Sequence, residues 1–357
     1  MKINAAIARS QDADLSIEEV DLAEPGPFEI RVKLSACGIC RSDLSALEGK
    51  ETVQFPVVLG HEASGNVDAV GQFVTALKEG DEVVLSWTPA CGRCSACRRG
   101  DVHLCIGVNM TTEGKGPLSQ NGQGLDRFMG LGAFADYVVV PESMAIPIHT
   151  GLKASHSCLI GCGVTTGFGA AVNTAAVRWG ESVAVLGCGG VGLAAIQGAR
   201  IAGAARIFAV DPIKQRRDIA LTVGATDVFH PEDIVRKIKS VTDDGVDCAI
   251  ECVGNTSTMQ DAFLMTRRGG RSIVVGLPAY TDSLNIPAIL LLGEKTLTGS
   301  IYGSANPKVD FQKIASLGES GMLQFEPLVD KEMSFSEINQ GFEDMREGRV
   351  ARIVVTF

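Results

Sequence analysis

The stretch SVAVLGCGGVGLAAIQGARIAGAARIFAVD, residues 182–211, confines this chain more than any other. A short apolar run, Val183–Leu186, leads into G-x-G-x-x-G at Gly187, Gly189 and Gly192; an Ala-rich segment follows, and an acid, Asp211, comes nineteen residues after the last glycine. Three glycines alone mean little, but between a strand and a helix they form a dinucleotide fingerprint. The first glycine permits the tight turn, the second lets backbone approach a pyrophosphate, and the third lets helix and strand pack closely. The helix start, Gly190 and Val191 included, then offers unpaired N–H groups to the phosphates. Asp211 is placed to accept hydrogen bonds from an adenosine ribose and to repel a 2′-phosphate, so NAD is the expected cofactor. Arg216 and Arg217, close behind, leave a 2′-phosphate open as the alternative.

Strand–helix alternation continues around the fingerprint. SVAVLGC, ARIFAVD, DVFH, VDCAIECVG, RSIVVGL and TLTGSIYG read as six strands with helical crossovers, which implies a doubly wound parallel sheet. The first 150 or so residues differ. Short β-prone runs broken by Gly, Pro and Asp (Glu29–Ala36, Ala63–Val70, Asp81–Trp87, Ala133–Val140) predict a partly antiparallel, barrel-like domain. The polar, glycine-rich stretch Ile106–Arg127 reads as a long surface loop. After a helical region, the closing ARIVVTF reads as a strand returning to the first domain. The expected division is therefore residues 1–162 with 305–357, and 163–304 as the dinucleotide-binding domain, two domains being the default for 357 residues.

A net charge of −10 argues against a nucleic-acid partner, since a phosphate backbone requires a basic face. No run approaches the ~20 apolar residues needed to span a bilayer, and the N-terminal stretch lacks the apolar core of a signal peptide. Of 11 cysteines, six stand at ligand-like positions and the others mostly in apolar runs, the pattern of reduced thiols in a cytoplasm.

Four of those six, Cys91, Cys94, Cys97 and Cys105, fall within CGRCSACRRGDVHLC, spaced C-x2-C-x2-C-x7-C. Thiolates this close can surround a tetrahedral zinc unaided, so residues 91–105 are expected to form a structural-zinc lobe. A second, scattered set comprises Cys40 in ACGICRSDL, His61 and Glu62 in LGHEASG, and Cys162 in LIGCGVTTGFG. Singly, each has an ordinary reading: Cys162 as a small buried hydrophobe, GHE as a turn. Together, two thiolates and one imidazole leave a fourth zinc position open, as catalysis requires.

With both cysteine sets and the fingerprint in place, the chain from about Pro25 to Phe357 resembles the zinc-dependent medium-chain alcohol dehydrogenases, on the branch of the aryl and benzyl alcohol enzymes. That resemblance implies a GroES-like, partly antiparallel β-barrel catalytic domain beside a Rossmann domain. It further implies two zinc ions per chain, NAD, and reversible oxidation of a small apolar alcohol to its aldehyde. Cys40, His61 and Cys162 match the catalytic-zinc ligands, and Glu62 the acid that approaches the metal during ligand exchange. Asp43 matches the carboxylate orienting the zinc-bound imidazole, and Ser42 the hydroxyl that takes the substrate proton. Arg41 and Arg352 match cationic contacts to the pyrophosphate, and Arg216 lies on the cofactor side as well. Trp87, Phe128, Met129 and Leu277 match substrate-pocket positions, which points to primary aromatic, allylic or medium-chain alcohols. One departure is Ser45, where many members carry a histidine that passes the proton to solvent.

Two relatives on the same scaffold compete: a thiol-dependent formaldehyde dehydrogenase, and a nicotinoprotein whose NAD does not exchange. A zinc-free quinone reductase would lack both cysteine sets, and intact ligands argue against a non-catalytic NAD sensor. Retention of the loop between Cys105 and Phe128 matches the dimeric branch, so a homodimer paired through the RSIVVGL and TLTGSIYG strands is expected.

Overall fold

The computed structural model describes residues 1–107, 116–348 and 350–357, which divide into two compact units. The first comprises Met1–Cys162, Asn306–Gly321 and Val329–Phe357; the second comprises Gly163–Ala305 with Met322–Leu328.

The first unit is built on two mixed sheets. Its central strand, Glu29–Ile39, pairs antiparallel with Glu62–Val70, with Tyr137–Pro141 and with the closing strand Ile353–Thr356. Alternation in EIRVKLSACGI puts Ile30, Val32, Leu34 and Ala36 inside, giving this strand its buried face. The second sheet joins Lys2–Ala8 to Ser16–Leu22 and Val57–Val58, over a core of Ile3, Ile7, Val20, Leu22, Val58 and Val139. Part of the stretch expected as a loop, 108–115, lies outside the described residues. The remainder is not all loop: Leu118–Gln120 pairs with Asp21–Leu22, and Asp126–Arg127 runs parallel to Val57–Val58. These short runs show no period of two; burial of Leu118 and Leu125 in the core of this sheet, together with pairing to strands far away in sequence, draws them in.

The second unit is a parallel sheet of six strands: β1 (Ser182–Leu186), β2 (Arg206–Val210), β3 (Asp227–Phe229), β4 (Val246–Glu251), β5 (Thr266–Val274) and β6 (Thr296–Gly299). Their spatial order, β3-β2-β1-β4-β5-β6, is the doubly wound dinucleotide-binding order, reversing between β1 and β4. This agrees with the fold class read from sequence. The central strands β1, β2 and β4 carry continuous apolar runs (VAVL, IFAV, CAI) because helices cover both faces. Leu186, Phe208, Ile234, Ile238 and Ala262 are buried in one core cluster.

Gly187 has φ 90° and ends β1 in a left-handed turn. The helix Gly190–Ile201 starts immediately behind it, so close that a Cβ on Gly192 would stand 1.8 Å from the Gly187 carbonyl oxygen. Gly192→Ala must therefore push helix from turn. We expect it to cost about 1–3 kcal/mol in denaturant unfolding and to weaken NADH binding; an unchanged midpoint with unchanged binding would show that the approach is not needed.

Candidate metal centres and cofactor site

Register in the central sheet assembles one cluster from distant parts of the chain. Gly38 pairs with Glu62, and Ile39 with Ile353. The residues just beyond these pairs are Cys40, His61 and Arg352, so three strand ends deliver a thiol, an imidazole and a guanidinium to one place. Cys162 joins them from the end of the segment Ala154–Ile160–Gly161, whose backbone packs against the carbonyl of Leu85. The ligand atoms of Cys40, His61 and Cys162 lie within 4.8 Å of one another, and all three residues are buried.

Asp43 organises this cluster. It sits at the third position of the helix Arg41–Leu47, and its Oδ2 accepts from the Cys40 N–H that begins the helix (3.0 Å). Its Oδ1 accepts from Gly60 N (2.9 Å) and lies 3.1 Å from His61 Nδ1. With no solvent on the carboxylate, Nδ1 is held as the donor, leaving Nε2 to the thiols. Among the described residues Nε2 is buried with no hydrogen-bonding partner. A buried orphan nitrogen facing two thiols fits a zinc ion: it is the Cys2His donor set with one position left over. The thiol pair is polarised. The Cys162 side chain and then His61 hold Cys40 well below the ordinary thiol range despite burial, whereas Cys40 and burial push Cys162 well above it. His61 is raised by Asp43 against the opposing effect of burial.

Behind the cluster, Glu62 and Arg352 form a buried ion pair. Gly38 makes room for it, since a Cβ there would meet Glu62 Oε2 at 2.5 Å. Ser42 Oγ lies 3.9 Å from Cys40 Sγ. Phe128 is buried and packs edge-on against the His61 ring (centroids 5.5 Å apart), Trp87 is buried, and Met129 is half-buried at φ 52°. Arg41 is exposed at the helix start, and Ser45 occupies a half-buried position on the same helix.

The four-cysteine lobe is a separate centre. Its four sulfurs lie within 4.8 Å of one another. Backbone N–H groups point at them: Cys91 N and Gly107 N to Cys105 Sγ (3.3 and 3.4 Å), Cys94 N to Cys91 Sγ (3.4 Å), and Cys97 N to Cys94 Sγ (3.4 Å). Such donors favour thiolate: Arg93 N and then Cys94 N lower Cys91, and Cys97 N chiefly lowers Cys94 to about 6. A Cβ on Gly107 would stand 2.3 Å from Cys91 Sγ. Burial pushes the remaining thiol, Cys97, up to about 12. Four inward sulfurs, three of them accepting from these amides, fit a closed zinc site.

In the second unit, Asp211 is buried at the end of β2. Its Oδ2 accepts from Cys188 N (2.9 Å) and its Oδ1 from Ile213 N (2.8 Å), tying the fingerprint turn to the second strand. Arg217 Nη1 donates to the carbonyls of Asp211 (2.6 Å) and Pro212 (2.9 Å). Leu277, expected in the pocket, is 59% exposed.

Residues 26–150 match the alcohol dehydrogenase GroES-like domain model, and 190–320 match the zinc-binding dehydrogenase model. S-(hydroxymethyl)glutathione dehydrogenases of Escherichia coli and Shigella sonnei are 39% identical over 370 residues, covering all of both chains.

The chain belongs to the zinc-dependent alcohol dehydrogenase family.

Solved structures agree. The alcohol dehydrogenase zinc-binding domain protein of Burkholderia ambifaria superposes with a TM-score of 0.95 at 32% identity, over 100% of this chain and 99% of that one. Benzyl alcohol dehydrogenase of Acinetobacter calcoaceticus gives 0.94 at 32%, with the same coverage. The protein is thus an oxidoreductase of a family that uses zinc and NAD, and its two thiol-rich clusters suit two zinc ions. Among the described residues no helix is long and apolar enough to cross a membrane.

One residue escaped sequence reasoning. Glu251, buried at the end of β4, accepts on Oε1 from Val253 N (2.8 Å), Gly254 N (2.9 Å) and Thr258 Oγ1 (2.7 Å), fixing the loop beside the fingerprint turn. An acid closing the apolar strand VDCAIE was the available signal.

Zinc content separates the two centres. Cys97→Ser should lose one zinc equivalent and lower the thermal midpoint, because a closed zinc site contributes folding energy directly. Asp43→Asn should retain that zinc yet bind the other about 10–100-fold more weakly. Metal analysis after graded chelation checks both, and equal loss from the two variants would contradict the assignment.

Proposed function

We propose that this alcohol dehydrogenase catalyses the NAD-linked, reversible oxidation of primary aromatic, allylic or medium-chain alcohols to aldehydes. The carrying observation is the apolar wall on the Cys40–His61–Cys162 cluster: Phe128 against the His61 ring, with Trp87 also buried in that unit. We assign the metal chemistry to 1–162 with 305–357 and the cofactor to 163–304.

A zinc ion held by Cys40, His61 and Cys162 supplies Lewis acidity that lowers the pKa of an alcohol, and NAD supplies the hydride acceptor. The protein's own residues do the rest. Ser42 Oγ takes the alcohol proton. Asp43 keeps His61 in the tautomer that presents Nε2. Glu62 serves ligand exchange, and Arg352, buried against it, carries the positive charge assigned to the pyrophosphate along with Arg41. In the reading proposed here, Asp211 and Arg216 stand at the adenosine end, and Gly187, Gly189, Gly190, Val191 and Gly192 form the phosphate cradle. Ser45 cannot accept a proton as an imidazole would, so Ser42, on taking the alcohol proton, would hand on its own hydroxyl proton without a side-chain relay at that position.

The second reading is oxidation of S-(hydroxymethyl)glutathione, favoured by the name of the relatives at 39% identity. Its adduct carries carboxylates. On this chain, however, the segment between Cys40 and His61 presents acids: Glu48, paired with Lys50, and Glu51, whose carboxyl is raised by burial and feels both His61 and Cys40. Neither acid offers the cationic contact that those carboxylates would need, which favours an uncharged alcohol.

Initial rates of NADH formation over ethanol, octanol, benzyl alcohol, cinnamyl alcohol and S-(hydroxymethyl)glutathione decide between them. Benzyl or cinnamyl alcohol should lead in kcat/KM; the glutathione adduct leading would replace this reading with the second. Silence across the panel, with NAD retained through dialysis, would instead mean a non-exchanging cofactor.

We also propose a homodimer joined at the β6 edge. The segment leading into β6 carries exposed apolar side chains: Ile289 is 69%, Leu292 80% and, farther back, Tyr280 95% exposed. As the last strand of the sheet, β6 pairs with β5 on one side only, and its outer edge is a template for a second copy. Sedimentation equilibrium should give twice the chain mass, and Leu292→Asp should shift it toward monomer; a monomeric wild type overturns the proposal.

A further inference from the structure

Directly after β6, Tyr302, Gly303 and Ser304 have φ 54°, 64° and 50°, the one run of three left-handed residues among those described. Two of the three carry a Cβ, which this region disfavours, so something must hold them there. Several contacts do. The Tyr302 side chain is fully buried, and Asn173 Nδ2 donates to the Gly303 carbonyl (3.1 Å). Gly303 has no room for a side chain, since a Cβ would meet the Thr165 carbonyl oxygen at 2.4 Å. Finally, Thr174 Oγ1 lies 2.7 Å from Ser300 Oγ and 2.7 Å from Ser304 Oγ. A single hydroxyl can donate to one serine and accept from the other, bridging Ser300, two residues before the turn, to its last residue.

The turn's place in the fold gives it a use. Along the carboxyl edge of the sheet, consecutive segments touch. Val253 crowds Gly187, Gly254 leaves no space for a Cβ on Gly276, and Ser300 N donates to the Val274 carbonyl (2.8 Å). The edge therefore runs unbroken from the fingerprint turn to Tyr302–Ser304. In a doubly wound sheet the dinucleotide lies along that edge, one mononucleotide on each half, and β4–β6 form the half away from the adenosine-binding β1–β2.

We propose that Thr174 is a positioning residue for the nicotinamide half of the cofactor, acting through the Ser300–Thr174–Ser304 hydroxyl bridge that keeps Tyr302–Ser304 left-handed. The inference rests on the NAD-linked reading above. Without the bridge, Ser304 relaxes toward right-handed backbone and the edge facing the nicotinamide loses its shape.

The test measures NADH affinity by the quenching of protein fluorescence, together with KM for NAD, KM for the alcohol and the thermal midpoint. Thr174→Val keeps the shape and removes the hydroxyl; it should weaken NADH binding and raise KM for NAD by about fivefold, the effect of one neutral hydrogen bond. KM for the alcohol should hold. Thr174→Ser keeps the hydroxyl and should behave as wild type. The Ser304 pair tests the turn without touching Thr174. Ser304→Ala loses the bond but keeps the strain and should weaken NADH binding, whereas Ser304→Gly takes φ above zero freely and should not. Should Thr174→Val not fold, the Ser304 pair decides alone. Equal NADH affinity in Ser304→Ala and Ser304→Gly overturns the proposal, as does a Thr174→Val protein with a lower midpoint but wild-type affinity. A wild-type protein that binds no NADH takes down the cofactor reading and this inference together; wild-type binding with indifferent variants takes down this inference alone.

Discussion

The register of the central strand Glu29–Ile39 is the constraint on which the metal centre depends. Pairing Gly38 with Glu62 and Ile39 with Ile353 brings Cys40, His61 and Arg352 together. A slip of one residue in either ladder would turn each side chain to the opposite face. The alternation that buries Ile30, Val32, Leu34 and Ala36 fixes that register, so the hydrophobic core and the donor set are specified by the same pairing. Removing either partner of the buried Glu62–Arg352 pair would leave an uncompensated charge, costing about 3–5 kcal/mol.

Asp43 then converts proximity into a usable site. One carboxylate receives the N–H of Cys40, the N–H of Gly60 and the Nδ1 side of His61, and so couples helix start, turn and ligand. The four-cysteine lobe achieves a similar end by other means. There the ligands are close in sequence, and backbone amides rather than a carboxylate stabilise the thiolates. One centre is set by long-range pairing, the other by local chain geometry.

The cofactor unit follows the same division of labour along its carboxyl edge. Asp211 ties the fingerprint turn to β2, Glu251 ties the loop after β4, and Thr174 ties the turn after β6. Each is a polar side chain supporting backbone at a strand end, where a doubly wound sheet takes its ligand.

The sequence by itself determined the fold class, the strands of the parallel sheet, the fingerprint and the two cysteine sets. These signals are local: periodicity, glycine spacing, and ligands a few residues apart. Even the scattered set Cys40, His61 and Cys162 was legible, because a resemblance supplied what spacing could not. Only the tertiary structure decided how Arg352 is used, pairing it with Glu62 across 290 residues of chain. It also drew Leu118–Gln120 and Asp126–Arg127 out of an apparent loop into a sheet. Glu251 and Thr174 acquire their roles in the same way. An isolated acid or threonine carries no pattern, and its hydrogen-bonding partners exist only once separate strands have been brought to one edge.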